Sequence, residues 1–96
     1  MKKEAKKNSD ENIIYVGNKP IMSYVLAIIT QFQSKTEEVQ VKARGRVISK
    51  AVDVVEFVKN KFIKDLKIKN ISIGTEQVSG ERGEVNVSVI NIVLTK

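Results

Sequence analysis

Lys42-Ala43-Arg44-Gly45-Arg46-Val47-Ile48-Ser49-Lys50 is the stretch on which the fold turns. Just upstream the residues alternate, with Val39, Val41 and Ala43 on one face and Gln40, Lys42 and Arg44 on the other. That pattern predicts a half-buried strand from Glu37 to about Lys42. Downstream of Gly45, the residues Ile48, Ala51, Val52, Val55, Val58 and Phe62 recur at helical spacing, predicting a helix with a broad apolar stripe. Val54 and Phe57 fall outside that stripe. A helix with two apolar faces is expected to pack on its own sheet and on a second subunit. The junction itself carries four positive charges and no acidic one, with glycine between two arginines. It reads as a cationic loop held between two rigid elements.

Toward the N-terminus, Ile13-Ile14-Tyr15-Val16-Gly17 is an apolar, β-rich run closed by glycine, which predicts a short buried strand. Asn18-Lys19-Pro20 then predicts a turn, with proline suited to the first turn of a helix. Met22, Val25, Leu26, Ile29 and Phe32 supply one apolar face of that helix, ending near Gln33 or Ser34. Residues 1–11 are polar, charged and aperiodic, and read as a disordered tail ahead of one domain over residues 12–96.

Toward the C-terminus, Leu66 to Val78 and Glu84 to Leu94 predict two long strands joined through Ser79-Gly80-Glu81-Arg82-Gly83. In each strand the apolar phase slips by one residue, which predicts either a β-bulge at each slip or a sheet covered on both faces there. The sequence turns polar toward the connection, so the outer hairpin is expected to project from the core. The order is β-α-β-α-β-β, an α+β chain. Its simplest arrangement is a two-layer sandwich, two helices on one face of a four-stranded mixed sheet with a long C-terminal β-hairpin.

Composition narrows the function. The 96 residues contain no cysteine and no histidine, which removes disulfides, thiolate nucleophiles, histidine acid–base chemistry and nearly all zinc sites. Asp53 and Glu56, three apart on the second helix, are better read as surface partners for Lys50, Lys59 and Lys61 than as a metal or acid–base pair. We therefore expect no enzyme, no cofactor, no metal and no small-molecule substrate. No apolar run approaches the roughly 18 residues of a membrane span, so a soluble, cytoplasmic protein without a membrane partner is expected.

The net charge is +6, and residues 13–50 hold six cations against two acids. This uneven placement favours a polyanionic partner bound at one surface. Arg44 and Arg46 can fork phosphate oxygens, Gly45 permits a close backbone approach, and Lys42 and Lys50 add point charges. Lys19 stands beside the positive end of the first helix. A parallel β-α-β crossover would bring its turn to the same end of the sheet as Arg44 and Arg46. Arg82, the one cation of the hairpin connection, and Asn86 are candidate minor-groove contacts. Tyr15 and Tyr24 are expected to pack rather than to stack on bases. Phe62, after Lys59-Asn60-Lys61, is the best candidate for an exposed association point.

With these elements placed, the chain resembles the Alba family of archaeal chromatin proteins. The resemblance is carried by Gly17-Asn18-Lys19-Pro20-Ile21-Met22-Ser23-Tyr24-Val25, by Lys42 through Asp53, by Asn60-Lys61-Phe62 and by Ile71-Ser72-Ile73-Gly74. It implies a homodimer that coats and compacts double-stranded DNA largely without sequence preference and also binds RNA, associated with the chromosome. The hairpin would follow the minor groove, while Asn18, Lys19, Lys42, Arg44, Gly45, Arg46 and Lys50 would meet the backbone. Val54, Phe57 and Phe62 would make dimer or dimer–dimer contacts. The family's first turn usually reads Gly-Lys-Lys-Pro; here Asn18 replaces the first lysine, so regulation by acetylation at that position does not carry over, and a weaker grip is expected. An RNA-binding subunit of an RNA-processing particle is the alternative reading.

Overall fold

In the computed structural model, which describes residues 12–96, the elements are β1 (Ile13–Tyr15), α1 (Ile21–Gln33), β2 (Glu38–Arg44), a 3-10 turn (Gly45–Val47), α2 (Ile48–Lys61), β3 (Lys67–Gly80) and β4 (Gly83–Thr95). The expected tail over residues 1–11 lies outside the described residues. The strands form one sheet in the order β1-β2-β4-β3, with β1 parallel to β2 and the remaining pairs antiparallel. Both helices cover one face. The α+β class, the element order and the mixed four-stranded sheet are those read from the sequence.

The alternation around Val39 fixes the register. Val39, Val41 and Ala43 of β2 lie opposite Leu94, Ile92 and Ile90 of β4, and all six are buried beneath the helices. Burying each of the valine, isoleucine and leucine side chains stabilises the fold by roughly 1.5–3 kcal/mol, and the single methyl of Ala43 contributes less. The intervening Gln40, Lys42 and Arg44 therefore face away from the helices, on the sheet's open face.

Helix α1 is rotated from the expected face. Tyr24, Val25, Ile28 and Phe32 are buried, whereas Met22 and Leu26 are exposed. The helix is apolar around most of its circumference, so two stripes fit helical spacing equally well; the packed one includes Tyr24, whose hydroxyl serves the preceding loop. Pro20 is the N-cap rather than the first helical residue, with φ −61° and ψ 153°. Helix α2 is rotated in the same sense: Val54 is fully buried beside Ala51, Val55 and Val58, while Val52 is exposed. Val54 is thus a core residue of the protomer, and the intersubunit contact expected of it is withdrawn.

Strand β1 also departs from expectation. It is an edge strand, and Tyr15 is 67% exposed instead of packed. Its neighbours Ile14 and Val16 face the core, so the alternation of the extended chain turns Tyr15 to the open face.

The hairpin connection is shorter than expected. Gly80 and Gly83 still pair, leaving only Glu81 and Arg82 in the turn. Gly83 takes the positive φ, 110°, that lets so tight a turn close. The phase slip in β3 is a register shift between Ile68 and Asn70. In β4 the ladder is continuous, so Val85, Val87 and Val89 face the open side while Ile90, Ile92 and Leu94 face the core. From Gly83 to Val89, the part of β4 paired with Gly74 to Gly80, no residue is buried, whereas Ile90, Ile92 and Leu94 are, in keeping with an arm that leaves the core.

Candidate nucleic-acid interface

Parallel pairing of β1 with β2 brings two loops to one end of the sheet. Tyr15 lies opposite Lys42, and Val16 N–H donates to the Lys42 carbonyl at 2.9 Å. The chain after β1 and the chain after β2 therefore leave the sheet side by side. The first carries Asn18 and Lys19, both exposed; the second carries Arg44 and Arg46, also exposed. Gly45 sits at φ 61°, where an L side chain would be strained, and turns the chain from β2 into the 3-10 turn.

The loop over Gly17 to Pro20 is held by two side chains. Tyr24 Oη accepts hydrogen bonds from Gly17 N–H at 2.8 Å and from Lys19 N–H at 3.0 Å. Lys50 Nζ donates to the Gly17 carbonyl at 3.0 Å and to the Lys19 carbonyl at 2.8 Å. The ammonium expected as a point charge for phosphate is thus committed to loop carbonyls, and Lys50 supports the surface by joining its two loops. Sequence reading missed Tyr24 in this role. Its position four residues into a helix that follows a glycine-proline turn was the available signal.

Arg44 also has a partner that linear reading missed. Its Nη1 lies 3.3 Å from Glu76 Oε1, a carboxylate brought across the open face from β3. Both side chains are more than half exposed, and such pairs contribute between about 0 and 1 kcal/mol. That is small against a charge-assisted contact to a phosphate, so the pair can open for one. Arg46 has no ion pair among the described residues. Lys42 is half-buried on the open face.

The other candidates lie apart from the two loops. Arg82 occupies the hairpin turn and Asn86 lies opposite Gln77 on the arm; both are exposed. Phe57 and Phe62 stack with ring centroids 5.9 Å apart and are 37% and 48% exposed. Ile71 and Ile73, on the helix side of edge strand β3, are 53% and 81% exposed. The sequence marks these two by the phase slip that precedes them, with a bulge or cover on both faces expected there; the order of strands, invisible in sequence, leaves them uncovered. No cluster of metal-ligating side chains occurs among the described residues, and no helix among them is long and apolar enough to cross a membrane.

A two-layer domain with loop cations gathered at one sheet end and a projecting two-stranded arm defines a class of small basic α+β proteins, and the comparisons with known proteins place it more narrowly. The sequence model of the family described as Alba matches residues 12–75. The chain is 56% identical over 86 residues to "DNA/RNA-binding protein Alba 1" of Archaeoglobus fulgidus, covering 90% of this chain and 97% of that one. It is 56% identical over 88 residues to "DNA/RNA-binding protein Alba" of Methanococcus maripaludis, covering 90% and 99% respectively. Among solved structures, Alba from Thermoplasma volcanium superposes with a TM-score of 0.87 at 53% identity, covering 88% of this chain and all of the other. ALBA1 from Trypanosoma brucei superposes at 0.76 with 31% identity, covering 90% and 69%. The chain belongs to the Alba family. Its relatives' names are those of binding proteins, not enzymes.

Proposed function

We propose that this protein is a dimeric, largely sequence-independent double-stranded DNA-binding protein that coats and compacts chromosomal DNA and also binds RNA. The observation that carries this reading is the parallel β1–β2 pairing, which sets Asn18 and Lys19 beside Arg44 and Arg46 at one end of the sheet. Cations on one rigid face neutralise successive phosphates, and release of counterions then supplies most of the affinity. The family's relatives are named as binders of both DNA and RNA, which supports the same partners here. The arm ending at Arg82 follows the minor groove, with Asn86 as a neutral contact. Asn18, lacking a charge, gives a weaker grip than a lysine there. Dimers form through exposed apolar side chains, Ile71 and Ile73 with Phe57, and Phe62 serves contacts between dimers. A soluble protein associated with the chromosome follows from these roles.

The test is binding to duplex DNA and duplex RNA across a range of salt. With about four phosphates neutralised per protomer, a dimer gives a log–log slope near −7. Replacing Arg44 and Arg46 together by alanine weakens binding to all sequences alike and flattens the slope. A flat salt response in the unaltered protein overturns the reading, and unchanged affinity in the double variant puts the grip elsewhere than at Arg44 and Arg46.

A further inference from the structure

The open face of the sheet carries a second surface that adjoins the two loops, with Gly17 and Arg44 along their shared border. Tyr15 of β1, Lys42 of β2, Asn91 of β4 and Ser72 of β3 form one row across all four strands. Neighbouring strands lie about 4.8 Å apart, so Lys42 stands one spacing and Asn91 two spacings from Tyr15. They line a shallow hollow of about 480 Å3, with Arg44 and Glu76 at its margin.

Three features distinguish this row from a solvated sheet face. Tyr15 is exposed, and the cation found over a ring among the described residues is Lys96 over Phe32, so no cation occupies the Tyr15 ring face. Asn91 Nδ2 donates to Gln40 Oε1 at 3.2 Å, but Asn91 Oδ1 is buried with no hydrogen-bond partner. An outward turn of that amide offers an acceptor to a donor in the hollow. Finally, Lys42 stands between the ring and Asn91 and forms no ion pair among the described residues.

We propose that this row binds an unpaired nucleobase of a single-stranded nucleic acid, stacked on Tyr15, with Lys42 at the adjoining phosphate and Asn91 at the base edge or sugar. An exposed aromatic flanked by a cation is the combination that holds single strands. A duplex keeps its bases stacked inside and has none to lay on the ring, so duplexes use the loops and single strands use this row as well. The site lies on the opposite sheet face from Ile71 and Ile73, and Tyr15 is on the opposite edge strand, so a dimer formed through those isoleucines leaves it open. The proposal rests on the nucleic-acid-binding reading above.

The experiment compares Tyr15→Ala, Tyr15→Phe and the Arg44/Arg46 double alanine variant. Each is titrated with oligouridylate, oligothymidylate and a duplex at one salt concentration, after thermal melts establish that each is folded. Tyr15→Ala is expected to weaken single-strand binding by about fivefold or more, while duplex affinity stays within about twofold. Tyr15→Phe, which keeps the ring, restores single-strand binding. A loss with both oligonucleotides assigns the site to the base; a loss with one alone assigns it to that nucleic acid. The chain lacks tryptophan, so Tyr15→Trp supplies a single indole whose fluorescence is quenched by oligouridylate. Single-strand affinity unchanged in Tyr15→Ala, or an equal loss for the duplex, overturns the proposal. If the unaltered protein binds neither the duplex nor the oligonucleotides, the nucleic-acid reading itself fails. If the double arginine variant weakens duplex binding while Tyr15→Ala changes nothing, only the present proposal fails.

Discussion

Lys50 Nζ lies 2.8 Å from the carbonyl oxygen of Lys19, 31 residues away in the chain. It reaches the Gly17 carbonyl as well, so one ammonium fastens the loop before α1 to the first turn of α2. Replacing Lys50 by methionine keeps the aliphatic stem and removes the donor. Duplex affinity is expected to fall while the salt slope stays close to that of the unaltered protein, because this charge is spent on carbonyls. Arg46→Ala, in contrast, should reduce the slope by about 1 per protomer. Salt titrations of the two variants side by side separate support from direct contact.

Tyr24 meets the same loop from the other side. In Tyr24→Phe the N–H groups of Gly17 and Lys19 lose their acceptor. Leaving polar groups unsatisfied costs about 1–3 kcal/mol each when they are fully buried, and these are partly buried, so a loss near the lower end is expected. For a domain of this size that lowers the melting temperature by about 4–8 °C. Hydrogen exchange at the two amides should quicken more than at the β2 amides.

Val54 and Phe57 separate the core from the proposed association surface. Val54→Ala removes fully buried methyl groups and should destabilise the protomer by about 2 kcal/mol, transfer and cavity terms together. That loss persists at every protein concentration. Phe57→Ala and Phe62→Ala, at exposed stacked rings, should instead shift the concentration at which oligomers form. Sedimentation across a dilution series distinguishes the two behaviours.

Glu76 restrains Arg44 and adds a negative charge to a surface proposed to meet phosphates. Glu76→Gln removes the charge at nearly constant volume. Duplex affinity at low salt is expected to rise by about two- to fivefold, equivalent to roughly 0.4–1 kcal/mol, the range of an exposed ion pair. The gain should shrink as salt is raised, because both interactions are screened.

Local pattern made much of this protein readable before its tertiary structure. The alternation through Val39, Val41 and Ala43 and the glycine between Arg44 and Arg46 specified a strand, a bend and a helix, since each depends on a backbone period or a φ value set by neighbouring residues. The charge of the two loops and the lack of cysteine and histidine were equally plain. The tertiary structure alone decided which stripe of each apolar helix faces inward, and so that Val54 is core while Met22 and Leu26 are not. It also decided that Lys50 serves Gly17 and Lys19, that Glu76 reaches Arg44, and that Tyr15 lies bare on an edge strand. Those outcomes depend on strand order and on contacts between residues some 30 positions apart, where a hydrogen bond or an ion pair is set by distance in space and leaves no local period in the chain.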